Sequence, residues 1–135
     1  MIGYVTLGTN DLARGAAFYD ALAAELGVNR VMENAQFIAW GAPGGGAGIG
    51  LTKPHDGREA TVGNGVMVAI QAKDRAQVAR LHALALAHGG MDEGAPGERF
   101  PGFYAAYFRD LDGNKLNAFV METRRTEPSP MTADA

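Results

Sequence analysis

Two stretches of this chain follow one plan at a fixed offset. IGYVTLGTNDLARGAAFYDALAAELG starts at residue 2, and GVMVAIQAKDRAQVARLHALALAHGG starts at residue 65. Each opens with a short β-branched, apolar run and passes through polar residues that suit a helix N-cap. Each then enters an alanine-rich segment with apolar residues at helical spacing and ends at glycine. The period is about 63 residues, and the starts superpose without gaps. Asp11 falls on Asp74, Leu7 on Ile70, Phe18 on Leu81, Tyr4 on Met67, and Leu22 on the smaller Ala85. A repeat of this kind leaves few folds open, because each unit has to supply a helix for one face of its own small sheet.

The rest of each unit reads as strands. In the first, VNRVM and residues 36–41 form a hairpin turning at Glu33 and Asn34, residues 42–48 are a glycine loop, and residues 49–53 are a further strand. In the second, residues 91–102 read as a weak strand with turns, 103–110 as a firm strand, 111–114 as a turn and 115–121 as a last strand. The second helix is expected over 73–90, with Asp74 and Gln77 as a capping box. The fold class is therefore α+β: two tandem βαβββ modules that form a cleft-shaped, curved mixed sheet. The domain plan is one domain over 1–135, with module 1 at about 1–53, a connector at 54–64 and module 2 at about 65–122. A disordered tail is expected over about 126–135.

Composition removes several function classes. Twelve basic against fifteen acidic residues give a net charge of −3, without the basic stripe of a nucleic-acid surface. Arg124 and Arg125 are a lone basic pair. The chain has no cysteine, hence no disulfide, thiolate metal site or cysteine nucleophile. No leader and no membrane-length apolar run is visible, so a cytoplasmic protein is expected.

The first module's opening, the second module's opening, and GFYAAYFRDLDGNKLNAFV together resemble the vicinal-oxygen-chelate superfamily: glyoxalase I, bleomycin-resistance proteins and extradiol dioxygenases. The last piece is similar to that family's aromatic strand, RDPDGN turn and terminal strand, with Leu111 where proline is usual. The resemblance spans residues 1–122. It implies a concave sheet on which many members hold one divalent metal, using His, Glu or Gln from the first and last strands of each module. The positions it assigns here are 4, 67 and 117, with a fourth at about 50, and they carry Tyr4, Met67, Asn117 and Gly50.

That donor set is poor. A neutral amide oxygen is a weak ligand, a thioether suits soft ions, and a phenol must first lose a proton. His55 lies in the connector, and His82 and His88 lie on the second helix, where a surface or helix-end role is expected. The expectation is a cleft with no metal and no cofactor, lined by Tyr4, Trp40, Gly50, Met67, Tyr104, Tyr107 and Asn117. Strand alternation puts Tyr104 and Tyr107 on opposite faces and leaves open which one points inward. The glycine loop lacks a P-loop ending and reads as a mobile loop at the cleft mouth. Glu98 and Arg99 sit in a segment, 97–104, whose charges could meet a ligand.

Two functions follow from the resemblance. One is a binding protein for a small organic molecule, acting as a homodimer with no nucleic-acid or membrane partner. The alternative is a glyoxalase-like lyase or dioxygenase acting on a small carbonyl or diol, which would need a divalent metal.

Overall fold

The computed structural model describes residues 1–122. The chain runs β1 (Tyr4–Gly8), α1 (Leu12–Leu26), β2 (Asn29–Glu33), β3 (Phe37–Gly41) and β4 (Gly48–Thr52). It continues with β5 (Val68–Gln71), α2 (Arg75–Ala87), β6 (Met91–Phe100), β7 (Phe103–Arg109) and β8 (Lys115–Met121). The strands form two four-stranded sheets, ordered β1-β4-β3-β2 and β5-β8-β7-β6. In each, the first strand lies parallel to the last and the other pairs are antiparallel. The expected βαβββ repeat is present, and the expected tail lies outside the described residues, as do Arg124 and Arg125.

The repeat holds at the level of single side chains. Asp11 and Asp74 are both extended N-caps, accepting hydrogen bonds from the backbone N–H of Arg14 and Gln77. The Gln77 side chain closes the second cap by accepting from the Lys73 N–H. Phe18 and Leu81 are fully buried, and Leu22 and Ala85 are buried at the next helical turn. Burial of each of the larger side chains contributes roughly 1.5–3 kcal/mol. Gly27 ends α1 in the left-handed region. Gly15 lets α1 lie against β4, since a Cβ there would stand 2.8 Å from a Leu51 methyl.

Some boundaries shift. α2 spans Arg75–Ala87 rather than 73–90, because Asp74 is its cap and His88 its C-terminal cap. Only Val68–Gln71 of the run 65–72 pair as a strand, because Gly65 takes a positive φ in the turn that precedes it. β6 is a ten-residue strand with three irregularities in its pairing to β7. Pro96 cannot donate and glycines interrupt the run, so pairing survives only with bulges. Glu98 and Arg99 are thus on a strand, not a loop.

The modules meet through their helices. Phe18 of α1 also reaches Phe108 of β7, with ring centroids 6.3 Å apart. A buried polar hub locks the junction: the Tyr19 hydroxyl donates to Asp110 Oδ2 at 2.6 Å, and Asn114 donates to the same carboxylate and to the Gly8 carbonyl. Burial, followed by the charge of Asp110, raises the Tyr19 pKa well above its ordinary value. Each sheet therefore keeps one face on the helical layer and leaves the other free of helices.

Candidate functional site

Alternation along each strand sorts the candidate residues between these faces. In the first sheet, Leu7, Ile38, Trp40 and Leu51 are buried on the helix side. The helix-free face carries Tyr4 and Thr6 on β1, Phe37 and Ala39 on β3, and Gly50 on β4. Tyr4 is 65% exposed. Its ring meets Phe37 edge-on, with centroids 6.4 Å apart. Phe37 also covers Gly50: a Cβ at that glycine would lie 2.5 and 2.6 Å from two ring carbons. The space into which a side chain at position 50 would project is already filled.

In the second sheet, Leu116, Ala118 and Val120 point toward the helices, while Lys115, Asn117 and Phe119 occupy the helix-free face. Across β7, Tyr107 is paired with Asn117 and Ala105 with Phe119; across β5, Ala69 is paired with Asn117. Asn117 is only 2% exposed, and its Oδ1 has no hydrogen-bond partner. Met67, just before β5, is exposed. The four singled-out positions therefore come in two pairs on two sheets, and among the described residues no strand pairing joins those sheets.

Two nominated residues belong elsewhere. Trp40 faces α1, away from the helix-free face. Its indole is buried, donates to Asp20 Oδ1 at 2.8 Å, and tilts against Tyr19 at 5.4 Å. A large apolar ring gains most by entering the core, and Asp20 satisfies its N–H. Hydrogen bonding from Arg30 holds the Asp20 carboxyl below its ordinary pKa. Tyr104 likewise turns to the helix side, where the Arg75 guanidinium stands 4.7 Å from its ring. Tyr107 is the tyrosine that shares a face with Asn117.

Sequence reasoning missed Phe37, and it missed an aromatic run on the second sheet. Phe100 stacks on Phe103 at 4.8 Å, and Phe103 lies 5.7 Å from Phe119. Period-two counting from Asn117 would have found Phe119; Phe103 needs the strand register as well. At the other end of that face, Glu93 meets Arg109 and Lys115. His82 is buried against Phe108 and bonded to Asp92 at 2.9 Å, not a surface residue as expected, and His88 caps α2. Among the described residues no group of three His, Cys, Asp or Glu side chains could hold a metal ion. A cavity of about 730 Å³ lies between α1, the loop at 42–47 and the free edge of β5; Trp40, Met67 and Phe119 line it.

The profile of the Glyoxalase/Bleomycin resistance protein/Dioxygenase superfamily matches residues 1–118. The chain belongs to this superfamily. Among solved structures, a glyoxalase/bleomycin resistance protein from Albidiferax ferrireducens T118 is 37% identical, with a TM-score of 0.82 over 89% of this chain and 98% of that one. A glyoxalase/bleomycin resistance protein/dioxygenase family enzyme from Burkholderia phytofirmans PsJN is 19% identical, with a TM-score of 0.71 over 88% and 97%. A protein named lactoylglutathione lyase from Agrobacterium tumefaciens is 23% identical, with a TM-score of 0.65 over 89% and 92%. The last two likenesses show the superfamily's fold. No curated protein matches. No helix among the described residues is long and apolar enough to cross a membrane.

Where superfamily members hold a metal, this chain's side chains do not fit one. A phenol, a thioether and an amide are weak donors for a hard divalent ion, and the fourth position has no side chain, the Phe37 ring lying over it.

Proposed function

We propose that this protein binds a small organic molecule on its helix-free faces without using a metal ion, and that it does so as a homodimer. The observation that carries the reading is the Phe37 ring packed over Gly50, which turns a ligand position of the superfamily into part of an aromatic surface. Met67, Tyr107 and Phe119 extend a surface of the same character on the second sheet, suited to flat or apolar ligands.

The homodimer follows from what each chain leaves open. Among the described residues β1 and β5 both end their sheets, and each has an unpaired backbone edge. Exposed Ile2, Tyr4, Val66 and Met67 flank those edges. Pairing β1 of one copy beside β5 of the other would cover this apolar surface. It would also bring the Tyr4 and Gly50 face next to the Met67 and Asn117 face.

Calorimetric titration with zinc, nickel, manganese and ferrous ions tests the metal-free reading. The expected result is no stoichiometric binding tighter than about 1 μM. Stoichiometric tight binding would sink it and favour a lyase or dioxygenase. Light scattering tests the homodimer; a strictly monomeric chain at micromolar concentration refutes that part.

A further inference from the structure

The helix-free face of the second sheet is graded along its length. One end is aromatic, with Phe100, Phe103 and Phe119 in a stacked run. The middle holds Asn117, whose side-chain carbonyl is buried without a donor. Native proteins keep few such orphans, and each calls for a reason. Its β5 neighbour, Ala69, is exposed and offers only a methyl group.

The other end is cationic, and Arg99 is built into it. Its guanidinium donates to the Gly97 and Ala95 carbonyls at 2.9 and 2.7 Å and lies 5.3 Å from the Tyr107 ring. Gly94 and Gly97 make its bed, since a Cβ on either would stand 3.1 or 2.9 Å from a guanidinium nitrogen. Among the described residues no carboxylate forms a salt bridge with it, and the neighbouring Glu93 is shared by Arg109 and Lys115. The corner therefore has more positive charge than negative, and Arg99 holds its guanidinium in place with donors to spare.

We propose that this face takes a planar aromatic molecule carrying both a hydrogen-bond donor and an anionic group, the donor meeting Asn117 and the anion meeting Arg99. The ring system lies over Tyr107, between β8 and β6. Two strand spacings separate these strands, roughly 10 Å, so a fused bicyclic ligand with its two groups at opposite ends has the right reach. The proposal rests on the reading of the helix-free faces as a binding surface and names the ligand class for it.

The test is calorimetric titration of the full chain with 6-hydroxy-2-naphthoate, 6-methoxy-2-naphthoate, which lacks the donor, and 2-naphthol, which lacks the anion. The hydroxynaphthoate should bind tightest, and loss of either group should weaken binding about ten-fold. Asn117→Leu should erase the preference for hydroxy over methoxy. Arg99→Gln should erase the preference for the naphthoate over naphthol. Equal binding of the three probes to the unmodified protein overturns the proposal, without depending on whether any variant folds. So does an undiminished hydroxy preference in folded Asn117→Leu. If the three fail while neutral Nile red binds, the ligand class is wrong and the binding surface stands. If none of the four binds, both readings fall.

Discussion

Replacing Tyr19 with phenylalanine tests how the two modules are held together. The hydroxyl is buried and donates to Asp110 at 2.6 Å, across the junction between α1 and the β7–β8 turn. Hydrogen bonds to charged groups contribute about 1.5–3 kcal/mol. Asp110 keeps the Asn114 and Asp112 donors in the variant, so the lower end is expected, a loss of about 1.5 kcal/mol at pH 7. The same geometry sets a pH dependence. Burial and the Asp110 charge raise the folded-state pKa of Tyr19, whereas in the unfolded chain it titrates near its ordinary value of about 10. A raised pKa gives stability that is complete below the unfolded value and is lost as pH rises toward the folded one. Above pH 10 the unfolded state therefore releases this proton before the folded state does. Tyr19→Phe has no such group, so urea denaturation at pH 7, 9, 10 and 11 should show the wild-type advantage shrinking above pH 10. A constant gap across that range, or no gap at pH 7, would refute the buried Tyr19–Asp110 bond.

Gly50→Ala should lower stability by about 1–3 kcal/mol, because its Cβ enters the Phe37 ring. The same substitution in a Phe37→Ala background should cost much less, and chemical denaturation of the four proteins measures the coupling. Asp74→Ala removes the cap acceptor for the Gln77 N–H and should cost about 1 kcal/mol in a thermal melt. Asp11→Ala should cost a similar amount through Arg14 if the repeat is as symmetric as the two caps indicate.

The sequence made the repeat legible because each part of it is a local signal. N-caps, helical spacing of Phe18 and Leu22, and terminal Gly27 each depend on neighbours within a few residues. The buried place of Asn117 was readable for the same reason, since it interrupts an apolar run. Facing was harder. β7 carries aromatic residues on both sides, so alternation separates Tyr104 from Tyr107 without saying which meets the helix. Trp40 was misplaced because its partners, Asp20 and Tyr19, come from α1 twenty residues earlier. The bed under Arg99 needs the irregular pairing of β6, and bulges leave no periodic trace in a sequence.

Position 50 shows why a donor count alone understates the change at this site. A glycine in a strand marks a close approach by some other group. Here that group is Phe37, whose ring fills the site and is itself packed by Tyr4. Side chains at 4, 37 and 50 are therefore coupled: placing a carboxylate at 50 requires the ring to leave, and its departure strips Tyr4 of its aromatic neighbour. On the second sheet, Asn117 is only 2% exposed, and a carboxylate there would be a buried charge. The helix-free faces are thus packed as aromatic and amide surfaces in their own right, and a ligating side chain at 50 would have to displace the Phe37 ring.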